Sequence, residues 1–207
     1  MKTILFLILV FIIFAVNYDN RYIEGIDTAV SLSFEKIRAD WLTDLFFALS
    51  HIGSLKIMLP LCIIMSIVLV VRKKYVHAVS LMLLFFLVRA LNTYLKEFFL
   101  RERPLFDFLY KETGYSFPSG HSMNSAAVYS FLCFILIETF ITSAKLKKML
   151  IAGTAVLILL IGVSRIYLGV HFLTDVLAGF AAGICTFLVV KIAVAKIQQA
   201  FDKNRTV

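Results

Sequence analysis

The chain has 207 residues, of which 61% are hydrophobic and only 16% charged, and its formal net charge is +8. This composition excludes an ordinary soluble domain and predicts a protein embedded in a bilayer. The positive charge would also suit a nucleic-acid-binding protein. Membrane proteins, however, commonly carry excess Lys and Arg in their cytoplasmic segments, so we expect no nucleic-acid partner.

Six apolar runs are predicted to be transmembrane helices, because they approach the length needed to cross a hydrocarbon core of about 30 Å. They lie at residues 3–17, 55–71, 76–98, 120–142, 147–167 and 170–194. The first run also resembles a secretory signal, but no small-x-small cleavage site follows at Ala15-Val16-Asn17, which favours a retained anchor. The predicted fold class is therefore all-α: a polytopic membrane protein with one domain over 1–207.

Two short basic connections predict the orientation in the membrane. Residues 72–74 and 143–148 are rich in Lys and Arg, and the positive-inside rule places them in the cytoplasm. Both termini are then cytoplasmic, and the longer connections 18–54 and 99–118 lie at the outer face.

The 18–54 segment alternates charged positions with apolar ones at helical spacing, namely Ile26, Val30, Phe34, Ile37, Trp41 and Leu45. This pattern predicts an amphipathic helix at the outer interface, a depth that indole rings favour. A packed outer cap without substrate contact is an open alternative.

One polar block lies at the start of the last predicted helix. His171 and Asp175 are four residues apart, so on a helix their side chains would share a face and could form a hydrogen bond. A carboxylate in that position fixes the imidazole tautomer and stabilises the cation formed when the other nitrogen attacks an electrophile. We predict that His171 is a nucleophile and that Asp175 orients it; a capping Asp beside a structural histidine is the simpler alternative.

A second block, Pro118-Ser119-Gly120-His121, opens the fourth predicted helix. Proline suits the first helical turn and serine caps its free N–H groups. Gly120 leaves the backbone amides open to a phosphate oxygen, and the helix dipole adds positive potential. His121 would then lie beside the anion, where an imidazole can protonate a leaving oxygen near neutral pH.

Three cations complete the set, because phosphoryl transfer is helped chiefly by fixed positive charge around the phosphoryl oxygens. Lys96, Arg103 and Arg165 fall in the same outer layer as the histidines. Other cations of the outer layer, Arg101, Lys111 and Lys36, are expected to extend to lipid headgroups. No paired-cysteine or closely spaced histidine pattern predicts a metal site.

The blocks Lys96-x6-Arg103-Pro104, Pro118-Ser119-Gly120-His121 and Ser164-Arg165-x5-His171-x3-Asp175 together resemble the three signature motifs of the type 2 phosphatidic acid phosphatase superfamily. The resemblance implies that His171 forms a phosphohistidine and that His121 protonates the leaving group. It also implies that Lys96, Arg103, Arg165, Ser119 and Gly120 hold the phosphoryl oxygens.

The chain is similar to bacterial membrane members of that superfamily, which implies a metal-independent lipid phosphatase without a cofactor. Expected substrates are phosphatidylglycerophosphate, undecaprenyl diphosphate or both, and the expected partners are membrane lipids, with no obligate protein partner. Two alternatives stay open: a non-catalytic protein that binds or transports lipid phosphates, and a vanadate-dependent haloperoxidase with the same anion pocket.

Overall fold

The computed structural model describes residues 1–105 and 108–205, and within them every regular element is a helix. In chain order these are α1 (Lys2–Asn17), α2 (Arg21–Lys36), α3 (Asp40–Ile52), α4 (Leu55–Val71), α5 (Tyr75–Phe99), α6 (Gly120–Thr139), α7 (Ala144–Tyr167) and α8 (Leu173–Arg205). The all-α prediction is confirmed. Residues 106 and 107 of the predicted loop 99–118 lie outside the described residues.

Four of the described helices, α5 to α8, are each long and apolar enough to cross a membrane alone. The pairs α1 with α2 and α3 with α4 reach that standard only when each bent pair is counted as one span, with bends of 96° and 43°. The reason is length: 16 residues of α1 rise only about 24 Å at 1.5 Å per residue. The predicted six spans are therefore the upper count.

The prediction of one amphipathic helix over 18–54 is wrong, because the segment contains two helices separated by residues 37–39. Asn20 caps α2 by accepting a hydrogen bond from the backbone of Tyr22, and Ala39 has extended backbone just before α3 begins. Trp41 is 70% exposed, as expected for an interfacial residue, but Asp27 and Phe46 are buried against the bundle. The segment is thus packed against the helices that follow it.

The last helix also differs from the prediction at both ends. It begins at Leu173 instead of 170, and it continues to Arg205 instead of ending near 194. Gly169 explains the later start, since its φ of 74° is left-handed and breaks the chain direction between α7 and α8.

The core forms around α6, which packs against α5, α7 and α8. Its small residues include Ala126 and Ala127, and α8 presents Gly179 and Gly183, four residues apart, to the same contact. Small residues at this spacing let two membrane helices approach closely. The close approach brings the first turns of α6 and α8 together at one end of the bundle.

Candidate active site

A buried imidazole and a buried carboxylate meet just before and within the first turn of α8. His171 Nδ1 lies 3.3 Å from Asp175 Oδ2, and both side chains are almost inaccessible to solvent. Ser116 Oγ lies 3.2 Å from the same imidazole nitrogen and donates a short hydrogen bond to Asp175 Oδ2. The predicted pair therefore exists, and a serine that the sequence analysis did not single out completes it.

His171 precedes α8 instead of lying on it, so the two side chains do not share a helical face as predicted. They meet because Asp175, in the first turn, folds back toward the helix start. Its Oδ2 accepts the backbone N–H of Phe172 at 2.9 Å, which satisfies one of the free donors of that terminus. One carboxylate thus caps the helix and contacts the histidine.

The other imidazole nitrogen defines the tautomer. Arg103 Nη1 lies 3.2 Å from His171 Nε2, and a guanidinium can only donate. Nε2 must therefore accept, which leaves the ring proton on Nδ1, facing Asp175 and Ser116. Burial, reinforced by the charges of Lys96 and Arg103, lowers the pKa of His171 well below 6.5, so the ring is neutral at physiological pH.

Arg103 and Lys96 are held by backbone carbonyls of the loop that precedes α6. Arg103 donates to Gly114 O at 2.8 Å, to Thr113 O and Tyr115 O at 3.2 Å each, and to the carbonyl of Val170 at 2.8 Å. Lys96 Nζ donates a short hydrogen bond to the same Tyr115 oxygen. These carbonyl contacts fix the positions of both cations.

Arg165 is fully buried and lies 5.4 Å from the ring of Tyr110. It donates short hydrogen bonds to Ser50 Oγ on α3 and to Glu112 Oε2, while its Nε is buried with no hydrogen-bond partner among the described residues. Glu112 Oε2 also lies 3.4 Å from Arg103 Nη1. Two arginines of the predicted anion site thus share one carboxylate oxygen.

The charge of Glu112 is retained in this setting. Burial alone would raise the pKa of its carboxyl, but the charges of Arg165 and Arg103 outweigh that effect and lower it. A negatively charged oxygen therefore lies between two guanidinium groups, where a phosphate oxygen would find the same partners.

The start of α6 is joined to the start of α8. Ser119 accepts from the backbone of Ser122 as the helix cap, and its own N–H donates to the backbone oxygen of Asp175 at 3.0 Å. Asn92 of α5 closes the other side: it donates to Pro118 O at 3.1 Å, and a Cβ on Gly120 would lie 2.9 Å from its Oδ1. A side chain at position 120 would therefore force Asn92 to shift.

His121 is half-buried beside Gly53, whose added Cβ would lie 3.3 Å from the imidazole Cδ2. The imidazole nitrogens make no hydrogen bond to any part of the chain that the structure describes. A donor or acceptor of the substrate could therefore pair with either nitrogen.

All eight predicted site residues lie in one layer at the end of the bundle where α5 and α7 end and α6 and α8 begin. His171, Asp175, Arg103, Lys96 and Arg165 form one connected set of contacts, whereas Ser119 and Gly120 serve the helix start, and the Ser119 hydroxyl is occupied as a cap. Among the described residues, no group of three or more His, Cys, Asp or Glu side chains could hold a metal ion.

The family model of the PAP2 superfamily matches residues 76–199. The chain belongs to the PAP2 superfamily. It is 38% identical over 185 residues to phosphatidylglycerophosphatase B of Bacillus subtilis (strain 168), an alignment that covers 89% of this chain and 91% of that protein. Family and relative together indicate a membrane-embedded lipid phosphatase of a bacterial cell membrane.

Two solved structures resemble the PAP2 chain. A transmembrane PAP2-type phosphatidylglycerolphosphate phosphatase from Bacillus subtilis matches with a TM-score of 0.91 and 38% identity, over 95% of this chain and 98% of that one. LpxE from Aquifex aeolicus matches with a TM-score of 0.62 and 26% identity, over 79% and 93% of the two chains. The predicted resemblance is thereby confirmed.

One cation of the connection between α5 and α6 contradicts its predicted role. Arg101 does not extend to headgroups: it is 8% exposed and ion-paired to Asp27 of α2 and to Asp175. A cation next to a membrane boundary has the same sequence pattern whether it extends to lipid headgroups or is buried in an ion pair. Only the two buried carboxylates, each 74 residues away along the chain, distinguish the two roles.

Several other residues of this PAP2 site escaped the sequence analysis: Ser116, Glu112, Asn92 and Ser50. Each acts through contacts with residues distant in the chain, so no local spacing could have revealed it. Of these residues, Ser116 could most readily have been suspected from the sequence, since it lies two residues before the Pro-Ser-Gly-His block.

Proposed function

We propose that this PAP2 phosphatase hydrolyses membrane lipid phosphates through a phosphohistidine formed on His171. The observation that carries the proposal is the pair of contacts made by the imidazole: Nε2 lies 3.2 Å from the Arg103 guanidinium, which can only donate, while Nδ1 lies 3.3 Å from Asp175. A nucleophilic nitrogen directed into a cationic pocket is the arrangement that attack on phosphorus requires.

In the first step, His171 Nε2 forms a bond to phosphorus as the bond from phosphorus to the leaving oxygen breaks. His121 donates its proton to that oxygen, which departs as a lipid alcohol or a lipid monophosphate. In the second step His121 takes a proton from water, the water oxygen bonds to phosphorus, and the N–P bond breaks. Inorganic phosphate leaves, and both histidines return to their first state.

Lys96, Arg103 and Arg165 stabilise the phosphoryl oxygens as charge develops. The unpartnered Arg165 Nε gives this role specific support, since a buried guanidinium N–H without an acceptor is costly and a phosphate oxygen would satisfy it. Backbone N–H groups at the start of α6, next to Ser119 and Gly120, would add donors and the positive end of the helix dipole.

We propose phosphatidylglycerophosphate, undecaprenyl diphosphate or both as substrates. The names of the relatives favour the first. A cavity of about 420 Å³ beside Arg103, whose lining includes the polar side chains of Thr28 and Glu102, would accept a hydroxylated headgroup. The polyprenyl diphosphate presents the same terminal phosphate, so rates on a panel of both lipids, phosphatidic acid and diacylglycerol diphosphate would rank them.

The site is proposed to lie on the extracytoplasmic face, with both termini in the cytoplasm. Leu105, in the α5–α6 loop, and Lys73, in the α4–α5 turn, are exposed at opposite ends of α5. Cysteine substituted at Leu105 should react with a membrane-impermeant maleimide in intact cells, whereas cysteine at Lys73 should react only after lysis. The reverse pattern would place the site inside.

Trapping of the intermediate tests the mechanism directly. Purified protein mixed with ³²P-labelled lipid phosphate and quenched in alkali should carry label that is stable to base and released by acid. His171→Gln should carry none and should lose turnover. EDTA should leave the wild-type rate unchanged, and abolition of activity by EDTA would contradict a metal-independent reaction.

A further inference from the structure

Arg101 and Asp27 form a buried polar cluster with Thr174 and Asp175 that the proposed reaction does not use. Arg101 Nη1 donates to Asp175 Oδ1 at 2.6 Å and to Thr174 Oγ1 at 2.7 Å, and its Nη2 donates to Asp27 Oδ2 at 2.8 Å. Asp27 and Asp175 are fully buried. One guanidinium thus joins a carboxylate of α2 to the carboxylate beside His171.

Asp27 also holds the first turn of α8. Its Oδ1 accepts the backbone N–H of Thr174 at 3.0 Å, and its Oδ2 accepts the Thr174 hydroxyl at 2.5 Å. A side chain of a different helix therefore satisfies a donor at the start of α8 that would otherwise need water or a local cap.

The guanidinium of Arg101 has little freedom to move. It lies between two aromatic rings, 4.3 Å from the ring centre of Phe172 and 5.1 Å from that of Tyr18, and Nη2 also donates to the backbone oxygen of Tyr18 at 3.3 Å. Planar stacking and a rigid fork of donors favour arginine over lysine at such a position.

The two oxygens of Asp175 have separate partners as a result. Arg101 donates to Oδ1, whereas Oδ2 contacts His171, Ser116 and the backbone N–H of Phe172. A partial rotation of the carboxylate would move Oδ2 away from His171 Nδ1 and lengthen the 3.3 Å contact between them. The contact with Arg101 opposes that rotation.

We infer that Arg101 and Asp27 are positioning residues for the hydrolysis: they fix the orientation of Asp175, and through it the tautomer and direction of His171. Arg101 also lines the cavity proposed for a lipid headgroup, but the positioning role of the two residues requires no contact with the phosphoryl group. The inference rests on the proposed role of His171, and it gives α2, which follows the first apolar helix, a function in catalysis.

Two substitutions test the inference, Arg101→Gln and the nearly isosteric Asp27→Asn. With dioctanoyl phosphatidic acid in detergent, each should lower kcat by about 10- to 100-fold, because a small misplacement of a catalytic group costs that much. The KM should stay within about twofold. Matched controls are Arg21→Gln and Asp44→Asn, which make the same chemical changes at exposed positions of α2 and α3 and should retain wild-type kcat.

A double-mutant cycle separates positioning from general stabilisation. If Arg101 acts through Asp175, Arg101→Gln should have little further effect on kcat in an Asp175→Asn background. Arg101→Lys should recover only part of the rate, since one ammonium cannot bridge both carboxylates and stack between two rings. An Arg101→Gln effect of equal size in both backgrounds, or full kcat in either single variant, would overturn the inference.

Folding and the underlying activity are monitored on the same samples. Asp27→Asn keeps the size of the native side chain and one of its two acceptor oxygens, so it is expected to remain monodisperse even if Arg101→Gln does not. A wild-type protein that releases no phosphate from any lipid would contradict the proposed function itself. An active wild type with unaffected Asp27 and Arg101 variants would contradict only the positioning role.

Discussion

Replacement of Gly183 by alanine should separate α6 from α8 and destabilise the protein. A Cβ at this position would overlap the backbone oxygen of Met123 and lie 2.8 Å from Ala126 Cβ. A backbone carbonyl inside a helix cannot rotate away, so the helices themselves must move apart. Overpacking of this kind costs about 1–3 kcal/mol, which for a domain of this size corresponds to a loss of about 2–10 °C in Tm.

Two other glycines supply graded controls. At Gly162 the nearest atoms belong to side chains, the ring tip of Phe180 and Val176 Cγ1 at 2.8 Å, which can shift at lower cost. At Gly153 no atom lies within 4 Å of an added Cβ. Gly153→Ala should therefore keep or raise the Tm, since alanine is favoured over glycine in a helix by about 0.5–1 kcal/mol.

Differential scanning fluorimetry in one detergent, with lipid phosphatase activity measured on the same samples, tests this order. Gly183→Ala should have the lowest Tm, Gly162→Ala an intermediate one and Gly153→Ala the highest. Activity should fall in Gly183→Ala below the melting range as well, because the Ser119 N–H bond to the Asp175 backbone oxygen spans the two helices that separate. Equal Tm values for Gly183→Ala and Gly153→Ala would refute the argument.

Three further predictions concern the site. Glu112→Gln should lower the inhibition constant of inorganic phosphate by about tenfold, or about 1.4 kcal/mol, because the carboxylate charge between Arg165 and Arg103 no longer competes; an unchanged or higher constant contradicts this. The depressed pKa of His171 keeps the neutral nucleophile populated as pH falls through 6.5, so the acidic limb of kcat/KM should have its midpoint below 6.5, while loss of the proton of His121 lowers kcat/KM on the alkaline side; an acidic midpoint above 6.5 would contradict the assignment of His171. Ser116→Ala should lower kcat more than it raises KM, whereas an effect on KM alone would exclude Ser116 as a partner of Asp175.

The sequence was sufficient to predict the layer that holds the site. Apolar runs of membrane length force the chain to alternate direction, so motif residues at helix ends separated by no crossing or by two crossings lie at the same face. His121 and His171 are 50 residues apart in the chain, yet the two crossings between them, α6 and α7, are enough to place them in one layer. The layer can be predicted because it depends on the length and hydropathy of each helix, and both are local properties of the sequence.

Contacts between side chains in that layer could not be predicted in the same way. Arg101 lies next to a membrane boundary, where exposed cations are common, and its burial depends on Asp27 folding over it from α2. The break between α2 and α3 depends on how both helices pack against the bundle. Each helix has an apolar face, and the spacing of the apolar residues alone predicts one continuous helix. Tertiary partners determine both features.

The alternation of helix direction also explains how charge is divided between the motifs. The site layer receives the N-termini of α6 and α8, whose dipoles are positive there, and the C-termini of α5 and α7, whose dipoles are negative. The two C-terminal ends carry Lys96 and Arg165 in their last turns, whereas the N-terminal ends carry Ser119 and Asp175. Each motif residue thus offsets the dipole of its own helix, and the cations stay available to an anion that the N-terminal backbone amides also attract. An antiparallel bundle with short connections needs no metal to create positive potential at this face, because it can place arginine or lysine at every second helix end.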